Sequence, residues 1–288
     1  MNKKILMESN VYTSKSYQGK SLIGNLKELY FDVKHYRHLL YSLVKLSITQ
    51  QYKKSLLGYT WILISPLLSV FIWVILQASG LFNPGDTQVP YIAFVLLSNS
   101  IWAFFISFYK GISDSLTTKG SEIIQNNFPK IIIVVERIII SFFDFMIPLI
   151  LSILVLAFFG VKFSWTSLLF LPALLPLIAI GISIGLLFSV IKVIAVDFNL
   201  IFNNFMEVLK YLTPVVYSTA VASDLILGII KWNPLTYLIE FPRNLLLGGG
   251  FENWNIYLWI SLGSLILLLL AIRFYYLATP WVIEKMTL

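Results

Sequence analysis

The sequence predicts an all-α integral membrane protein with six transmembrane helices. An N-terminal amphipathic interface helix precedes them, and short re-entrant or surface helices lie between spans five and six. Three observations predict this fold. The 288 residues are 58% hydrophobic and 12% charged, whereas soluble domains average about 45–50% apolar and about 25% charged residues. The apolar residues form long blocks, near the ~20 residues that a helix needs to cross a bilayer. Ten of the 21 Lys and Arg residues precede residue 55, before the first block.

The net charge of +7 is explained by membrane topology. Cytoplasmic loops carry an excess of Lys and Arg. A six-span topology with both termini in the cytoplasm places 17 of these 21 residues inside, Lys210 within span five, and only Lys162, Lys231 and Arg243 outside. No basic helix or aromatic RNA-binding platform accompanies the charge, so nucleic acid is not an expected partner.

Residues 1–38 are predicted to be a polar cytoplasmic segment, followed by a transmembrane domain at 39–288. Gly19-Lys20-Ser21 resembles the end of a phosphate-binding loop, but position 14 is Ser where that motif has Gly, and no strand precedes it. We therefore expect no nucleotide site there. The sequence contains no Cys and only two His residues, which excludes disulfides and a histidine metal cage.

An amphipathic helix is predicted from Leu39 to Ser55. Apolar side chains recur there at helical spacing, and polar ones lie off that face. The apolar set is Tyr36, Leu39, Leu43 and Leu46, and the polar set is Lys45, Gln50 and Lys53. Such a helix lies on a membrane surface. From the residues alone, this helix is interpreted as a surface anchor.

The predicted spans cover about 58–79, 90–110, 131–160, 166–191, 198–218 and 254–277. Lys53 and Lys54 before the first span set its orientation. Residues 111–130 are polar and predict a cytoplasmic loop with a short helix near Ser121–Asn127. Gly181 and Gly185 in the fourth span form a small-xxx-small pair, which favours close helix packing.

Three charged residues fall in the third span. Glu136 and Arg137 are expected near the cytoplasmic interface, where they can pair or reach water. Asp144 lies about two turns deeper, and a carboxylate facing lipid there is costly. We therefore expect Asp144 to face protein or a polar passage.

The fifth span carries polar residues on one helical face. Asn199, Asn203, Glu207 and Lys210 follow one another at steps of four, four and three. Polar groups at bilayer depth must face protein or water. The stripe is therefore either a set of interhelical hydrogen bonds or one wall of a polar conduit.

Residues 219–250 cannot form a simple loop. The segments 225–230 and 235–247 are apolar, but Pro234 and Pro242 interrupt them. Apolar segments this short dip into the membrane or lie at its surface. Both are therefore predicted as re-entrant or surface helices.

Four motifs carry a family resemblance. They are Tyr52-Lys53-Lys54-Ser55-Leu56-Leu57-Gly58 with Trp61 and Pro66, Phe128-Pro129-Lys130, Thr213-Pro214-Val215-Val216-Tyr217, and Asn233-Pro234-Leu235-Thr236-Tyr237-Leu238-Ile239-Glu240 with Arg243. Because the four motifs occur in this order, the chain from about residue 39 onward resembles type-2 ABC exporter permeases of the branch that exports polysaccharides and polyol phosphates. That family usually has Arg-Asp before the fifth span, where this chain has Val196-Asp197.

The resemblance implies a permease in the bacterial cytoplasmic membrane. It implies a homodimer that pairs with two copies of a nucleotide-binding ATPase and exports a lipid-linked polysaccharide, surrounded by membrane lipids. O-antigen, capsule and teichoic-acid chains are all within the family's range. ATP and Mg belong to the partner, so this chain is expected to hold no cofactor or metal and to have no catalytic residues.

Three groups of site residues follow from the motifs, the stripe and the resemblance. The conduit candidates are Trp61, Phe71, Trp73, Asn203, Glu207, Lys210 and Tyr217. The ATPase-coupling candidates are Ser121, Glu122, Gln125 and Asn126, in a segment for which an ordinary solvated connector is the open alternative. The cytoplasmic gate candidates are Tyr52, Lys53, Lys54 and Tyr59, because the resemblance implies that the helix predicted from Leu39 to Ser55 packs beside the channel mouth as a gate.

Two other function classes fit less well. A membrane-embedded enzyme acting on lipid-linked sugars needs acidic or basic groups gathered at one interface, but Asp86, Asp224 and Glu252 are scattered along the chain. An ion-coupled transporter is expected to show repeated halves with broken helices at matching positions, and no internal repeat is evident.

Overall fold

The computed structural model describes residues 21–53, 60–119, 128–219, 224–250 and 253–287. Within these ranges the longer helices are α1 (Leu22–His35), α2 (Arg37–Lys53), α3 (Trp61–Ala78), α4 (Tyr91–Ser113), α5 (Ile131–Phe158), α6 (Leu175–Ile194), α7 (Val196–Tyr211), α8 (Asp224–Trp232), α9 (Pro234–Leu247) and α10 (Trp254–Thr287). One-turn helices occupy Ser115–Thr118, Trp165–Leu169 and Phe170–Ala173. The all-helical prediction is confirmed for the described residues.

Four described helical stretches are long and apolar enough to cross a membrane, namely Tyr91–Ser113, Ile131–Phe158, Trp165–Ile194 and Trp254–Val282. The helices at the first and fifth predicted spans are shorter, with 18 residues in α3 and 16 in α7. A multi-pass membrane protein is therefore supported, while the count of six spans stays a prediction.

Helix α4 lies at the centre of the bundle. It packs against α3, α5 and α6, and α6 also packs against α7 and α10. Most of the α4 side chains are buried, including Phe105 and Phe108. By contrast, the apolar side chains of α3 and α10 are largely exposed, as expected of helices that face lipid or another chain.

The contact between α4 and α6 depends on two glycines. A Cβ atom at Gly185 would lie 2.8 Å from Ile112 Cβ and 3.1 Å from the carbonyl oxygen of Tyr109. A Cβ atom at Gly181 would lie 3.0 Å from Phe108 Cβ. The two helices therefore approach so closely that no side chain fits, and the predicted close packing of this pair is confirmed.

We expect Gly185→Ala to lower the free energy of unfolding by about 1–3 kcal/mol, because the added methyl group forces α4 and α6 apart. Denaturant titration of the purified protein in mixed micelles measures this. Gly263→Ala is the matched control, since nothing lies within 4 Å of a Cβ atom there, and its helical propensity gain should leave stability unchanged or raise it by up to about 1 kcal/mol. If the two variants were equally stable, the close contact between α4 and α6 at Gly185 would be contradicted.

One end of the bundle gathers the ends of several helices and is named the inner end, after the predicted orientation. Its apolar cluster joins Leu40 of α2, Ile112 of α4, Ile132 of α5, Val190 of α6 and Tyr275 of α10. Helix α1 also packs against α10 there. The N-terminal helices and the C-terminal part of α10 therefore lie at the same end, in keeping with the prediction that both termini are on one side.

The N-terminal segment contains a helix that the sequence analysis did not assign. Helix α1 forms within residues 1–38, starting where the Ser21 hydroxyl accepts a hydrogen bond from the Gly24 backbone N–H. Of the predicted apolar face, Tyr36, Leu39 and Leu43 pack against the inner-end cluster. Leu40, which was not assigned to that face, is buried and Leu46 is exposed, because α2 packs against α5.

The opposite end is built from short segments. The fourth predicted span begins with the turns Trp165–Leu169 and Phe170–Ala173 before α6 starts, so Pro172 and Pro176 mark a break in it. Helices α8 and α9 confirm the expectation of two short apolar helices. Helix α9 ends at Gly248, whose φ of 75° is the left-handed conformation that glycine adopts at helix ends.

Candidate functional site

The polar stripe of α7 faces α4 at its inner part. The Ser113 hydroxyl lies 3.3 Å from Asn199 Oδ1, to which it donates. One turn further along, the Tyr109 hydroxyl donates to Asn203 Oδ1 at 2.7 Å. Asn199 is buried. These two asparagines therefore act as interhelical hydrogen-bond partners, which is one of the two interpretations of the stripe.

The outer part of the stripe is open. Glu207 lies 3.4 Å from Lys110 Nζ, and their side chains are 63% and 43% exposed. Lys210 follows at the next turn and is half-buried, and Asn204 beside them is exposed. Along α7, the stripe is thus hydrogen-bonded to α4 at Asn199 and Asn203 and becomes an exposed polar edge at Glu207.

Helix α3 contributes the other exposed edge near α7. Trp61 and Phe71 are exposed, and Trp73 is half-buried. The Trp73 ring lies 6.0 Å from the Tyr211 ring, measured between centroids, and the half-buried Tyr217 donates its hydroxyl to the Tyr211 carbonyl at 2.9 Å. Aromatic side chains therefore continue the polar edge of α7 toward the outer end. Whether these candidates line a conduit stays a prediction.

The predicted coupling and gate residues lie mostly outside the described residues. Ser121, Glu122, Gln125 and Asn126 all lie outside them, as do Lys54 and Tyr59. For Tyr52 and Lys53 only the backbone is described, in the last turn of α2. Their roles stay predictions.

A buried ion pair joins three elements at the inner end. Glu136 on α5 is 0% exposed, and its Oε2 lies 2.5 Å from Lys119 Nζ. Its other oxygen, Oε1, accepts a hydrogen bond from the Ser47 hydroxyl of α2 at 2.5 Å. We name Ser47, Lys119 and Glu136 the inner junction. Lys119 is the last residue described before the predicted coupling segment, so the junction ties the residue that precedes that segment to α2 and α5.

Sequence reasoning placed Glu136 near the interface, where it could pair or reach water. The structure gives it partners but no contact with water, since its side chain is completely buried. The sequence carried no signal of this pairing, because Asp114, Glu122 and Lys130 are charged residues that lie closer to, or within, the loop that joins α4 to α5.

A polar cleft of 640 Å³ lies beside the inner junction, between α2, α4 and α5. Gln50, Lys110, Arg137 and Asp144 line it. Asp144 thus lies at a cleft with other polar side chains, in agreement with the expectation that it faces protein or a polar passage. Lys110 belongs both to this cleft and to the exposed edge with Glu207, so the two polar regions are continuous.

A second ion pair holds the inner ends of α4 and α6 together. Lys192 Nζ lies 2.5 Å from Asp114 Oδ1. Both side chains are partly exposed, so solvent screens the pair and its contribution to stability is small. At this end, the buried Glu136 is therefore expected to affect stability more than the Lys192–Asp114 pair does.

A buried cation, Arg243, lies at the outer end among the described residues. Arg243 of α9 donates from Nη1 to the Pro214 carbonyl at 2.6 Å and to the Ser98 hydroxyl at 3.1 Å. Its Nη2 lies 3.3 Å from Glu240 Oε1, and its guanidinium lies 4.4 Å from the centre of the Phe94 ring. Burial lowers the pKa of Arg243 to about 10, against the opposing effect of Glu240, so the side chain is charged at neutral pH. Arg243 was part of a motif but not of the predicted site.

Comparison with known proteins gives distant relatives. The O-antigen export system permease protein RfbA of Myxococcus xanthus is 24% identical over 203 residues, which are 70% of this chain and 75% of that protein. Two proteins of the same name from Klebsiella pneumoniae are each 24% identical over 219 residues, which are 73% of this chain and 81% of theirs. The chain is thus distantly similar to proteins named as O-antigen export permeases.

No protein-family model matches the chain. The relatives are named as permeases, which agrees with a transporter subunit rather than an enzyme. Among the described residues, no group of three or more His, Asp and Glu side chains is placed to hold a metal ion.

Proposed function

We propose that this chain is the membrane-spanning permease subunit of an ATP-driven exporter, which moves a lipid-linked, O-antigen-like polysaccharide across the cytoplasmic membrane. The observation that carries the proposal is the exposed Lys110–Glu207 pair. Glu207 lies 11 residues into α7, or about 16 Å along the helix. A charge this far along an apolar helix must face protein or water.

Two copies of the chain complete the passage. The exposed edges of α3 and α7 carry polar groups that lipid does not solvate, including Gln77, Asn204 and Glu207. A second copy that faces these edges would form a water-filled passage with the first copy, and the polar groups would line that passage. Aromatic rings such as Trp73 and Tyr211 offer flat apolar faces on which the C–H faces of sugar rings can stack. Because these rings carry no charge, they would not trap a long polymer in the passage.

ATP hydrolysis then takes place on a separate chain. The sequence has no phosphate-binding loop, so two copies of an ATPase are the expected partners. They would contact the segment that contains Ser121, Glu122, Gln125 and Asn126. The inner junction supports this route, because it links the start of that segment to α2 and α5 through buried contacts.

A gene deletion with complementation tests the function. Without this chain, we expect the lipid-linked polysaccharide to accumulate at the inner face of the cytoplasmic membrane, measured with a polymer-specific lectin on membrane vesicles of each orientation. Restoring the chain should move the polymer to the outer face. Analysis of the accumulated polymer separates O-antigen from capsule and teichoic acid. An unchanged rate of appearance at the outer face in the deletion would refute the proposal.

We expect Glu207→Leu to reduce export several-fold without reducing the amount of folded protein. The Lys110–Glu207 pair is exposed, and exposed pairs contribute about 0–1 kcal/mol to stability. Its loss should therefore affect the passage rather than the fold. The measurement is the export rate divided by the amount of folded permease in the membrane.

Val208→Leu on the same helix is the matched control, since it exchanges one exposed apolar side chain for another and should leave export unchanged. An equal loss of export and of folded Glu207→Leu protein would instead assign Glu207 to helix packing.

A further inference from the structure

A second polar cavity lies at the outer end, where the segment before α4 meets α9 and the start of α10. It has a volume of 140 Å³. Carboxylate, amide and phenol groups line it, namely Asp86, Gln88, Tyr237, Glu240, Asn244 and Asn253. We name it the outer cavity. The sequence analysis listed Asp86, Asp224 and Glu252 as scattered acids and did not include Glu240, which the fold brings to the same cavity as Asp86.

The backbone around the outer cavity is held in an unusual conformation. Gln88 and Asn253 have φ values of 60° and 57°, and no other non-glycine residue among those described has a positive φ. Both line the cavity. A left-handed conformation costs a non-glycine residue free energy and persists where surrounding contacts enforce it, often at binding sites. For Gln88, one such contact is the hydrogen bond from its backbone N–H to Asp86 Oδ1 at 3.0 Å.

The interior of the cavity is preorganised. Arg243 lines it and is held by Ser98, Pro214 and Glu240, while its Nε is buried without a hydrogen-bond partner among the described residues. Phe241 and Tyr257 also line the cavity, with their rings stacked 4.0 Å apart. The side chain of Asn244 makes no hydrogen bond to another described residue, so its amide is available to a ligand.

The charges of the cavity limit what it can bind. Asp86 and Glu240 outnumber Arg243, which disfavours phosphate and other anions. No metal-binding group of three acidic or His residues occurs among the described residues. Amides and carboxylates together with an aromatic stack instead match a neutral ligand that has both hydroxyl groups and an apolar face. The volume of 140 Å³ is below the about 300–1,000 Å³ of pockets that hold drug-sized ligands, so the cavity suits one small ring rather than a length of polymer.

We infer that the outer cavity binds a single uncharged sugar residue of the polymer on the far side of the membrane. The choice of a sugar rests on the proposed function, whereas the exclusion of anions rests on the cavity itself. The site favours a neutral polysaccharide over a polyol-phosphate chain as the cargo. It also gives the polymer a point of contact after it has left the exposed edge of α7.

Direct binding to the purified chain in nanodiscs tests this without any transport. The probes are neutral hexoses, 6-deoxyhexoses, N-acetylhexosamines and glycerol phosphate, and saturation-transfer-difference NMR detects binding. At least one neutral sugar should bind saturably, and glycerol phosphate should not. Gln88→Gly removes the side-chain amide and relieves the left-handed backbone, so sugar affinity should fall about fivefold for one lost hydrogen bond, while thermal stability is kept or raised.

Asn244→Leu should weaken binding of the same sugar by a similar factor. Gln51→Leu, which removes an exposed amide of α2 at the inner end, should leave binding unchanged. The inference is overturned if none of the sugars binds, if glycerol phosphate binds instead, or if binding is the same in Gln88→Gly, Asn244→Leu and wild type. None of these results bears on whether the chain is a permease, because export is measured separately.

Discussion

Glu136→Leu is expected to destabilise the protein by about 3–5 kcal/mol, because it leaves Lys119 with an unpaired charge in a mostly buried position. The Lys119 side chain is only 10% exposed, and Glu136 is its ion-pair partner at 2.5 Å. The same change removes the acceptor of the Ser47 hydroxyl on α2. Denaturant titration in mixed micelles gives the loss of stability, and the yield of folded protein should fall with it.

The double variant Glu136→Leu with Lys119→Met distinguishes a role of the inner junction in stability from a role in transmitting movement to α2. Replacing both partners of a buried ion pair by apolar side chains of similar volume is often neutral for stability, so most of the lost stability should return. If the inner junction transmits movement from the coupling segment to α2, export by the double variant should stay low while ATP hydrolysis by the assembled complex continues. Full export by a stable double variant would limit the junction to a structural role.

Glu207→Leu is expected to affect stability far less than Glu136→Leu does. Glu207 is also a glutamate paired with a lysine, but its pair is exposed and 3.4 Å apart, so its removal costs about 0–1 kcal/mol. The two glutamates therefore have opposite expected signatures. Loss of Glu136 acts first on folding, and loss of Glu207 acts first on export.

The sequence predicted the features that depend on local spacing. The apolar blocks gave the long helices, the prolines at 234 and 242 indicated short segments, and the Gly181–Gly185 spacing indicated the close contact that the structure has between α4 and α6. Each of these follows from hydrophobic periodicity or from the size of one residue, which a single sequence contains.

Features that depend on contacts between distant segments were not predictable. Helix α2 packs the predicted Leu39 and Leu43 against the inner-end cluster, but it also buries Leu40 and leaves Leu46 exposed, because its neighbours on α5 determine the limits of the buried face. The α7 stripe was correctly identified as one face, but only the position of α4 decides that Asn203 is bonded and that Glu207 is open. The outer cavity joins residues near 88, 240 and 253, whose separation in the chain gives no signal of proximity.

Arg243→Met is expected to destabilise the outer end by about 3 kcal/mol, near the lower limit for breaking a buried charge pair, because Glu240 keeps partial access to solvent. The guanidinium is 3% exposed and holds together α4, the segment at Pro214 and α9. Methionine keeps the length of the side chain but donates no hydrogen bond. Arg243→Lys should restore little of the loss, since an ammonium group cannot make the same forked contacts while lying over the Phe94 ring.

Lys162→Met is the matched control for Arg243→Met, because Lys162 is exposed on the same side and has no ion pair among the described residues. Its removal should change stability by no more than about 0.5 kcal/mol. Denaturant titration of all three variants ranks them, with Arg243→Met and Arg243→Lys well below wild type and Lys162→Met equal to it. If Arg243→Lys were as stable as wild type, a positive charge alone would suffice at this position, and the forked hydrogen bonds would not be what joins α9 to α4.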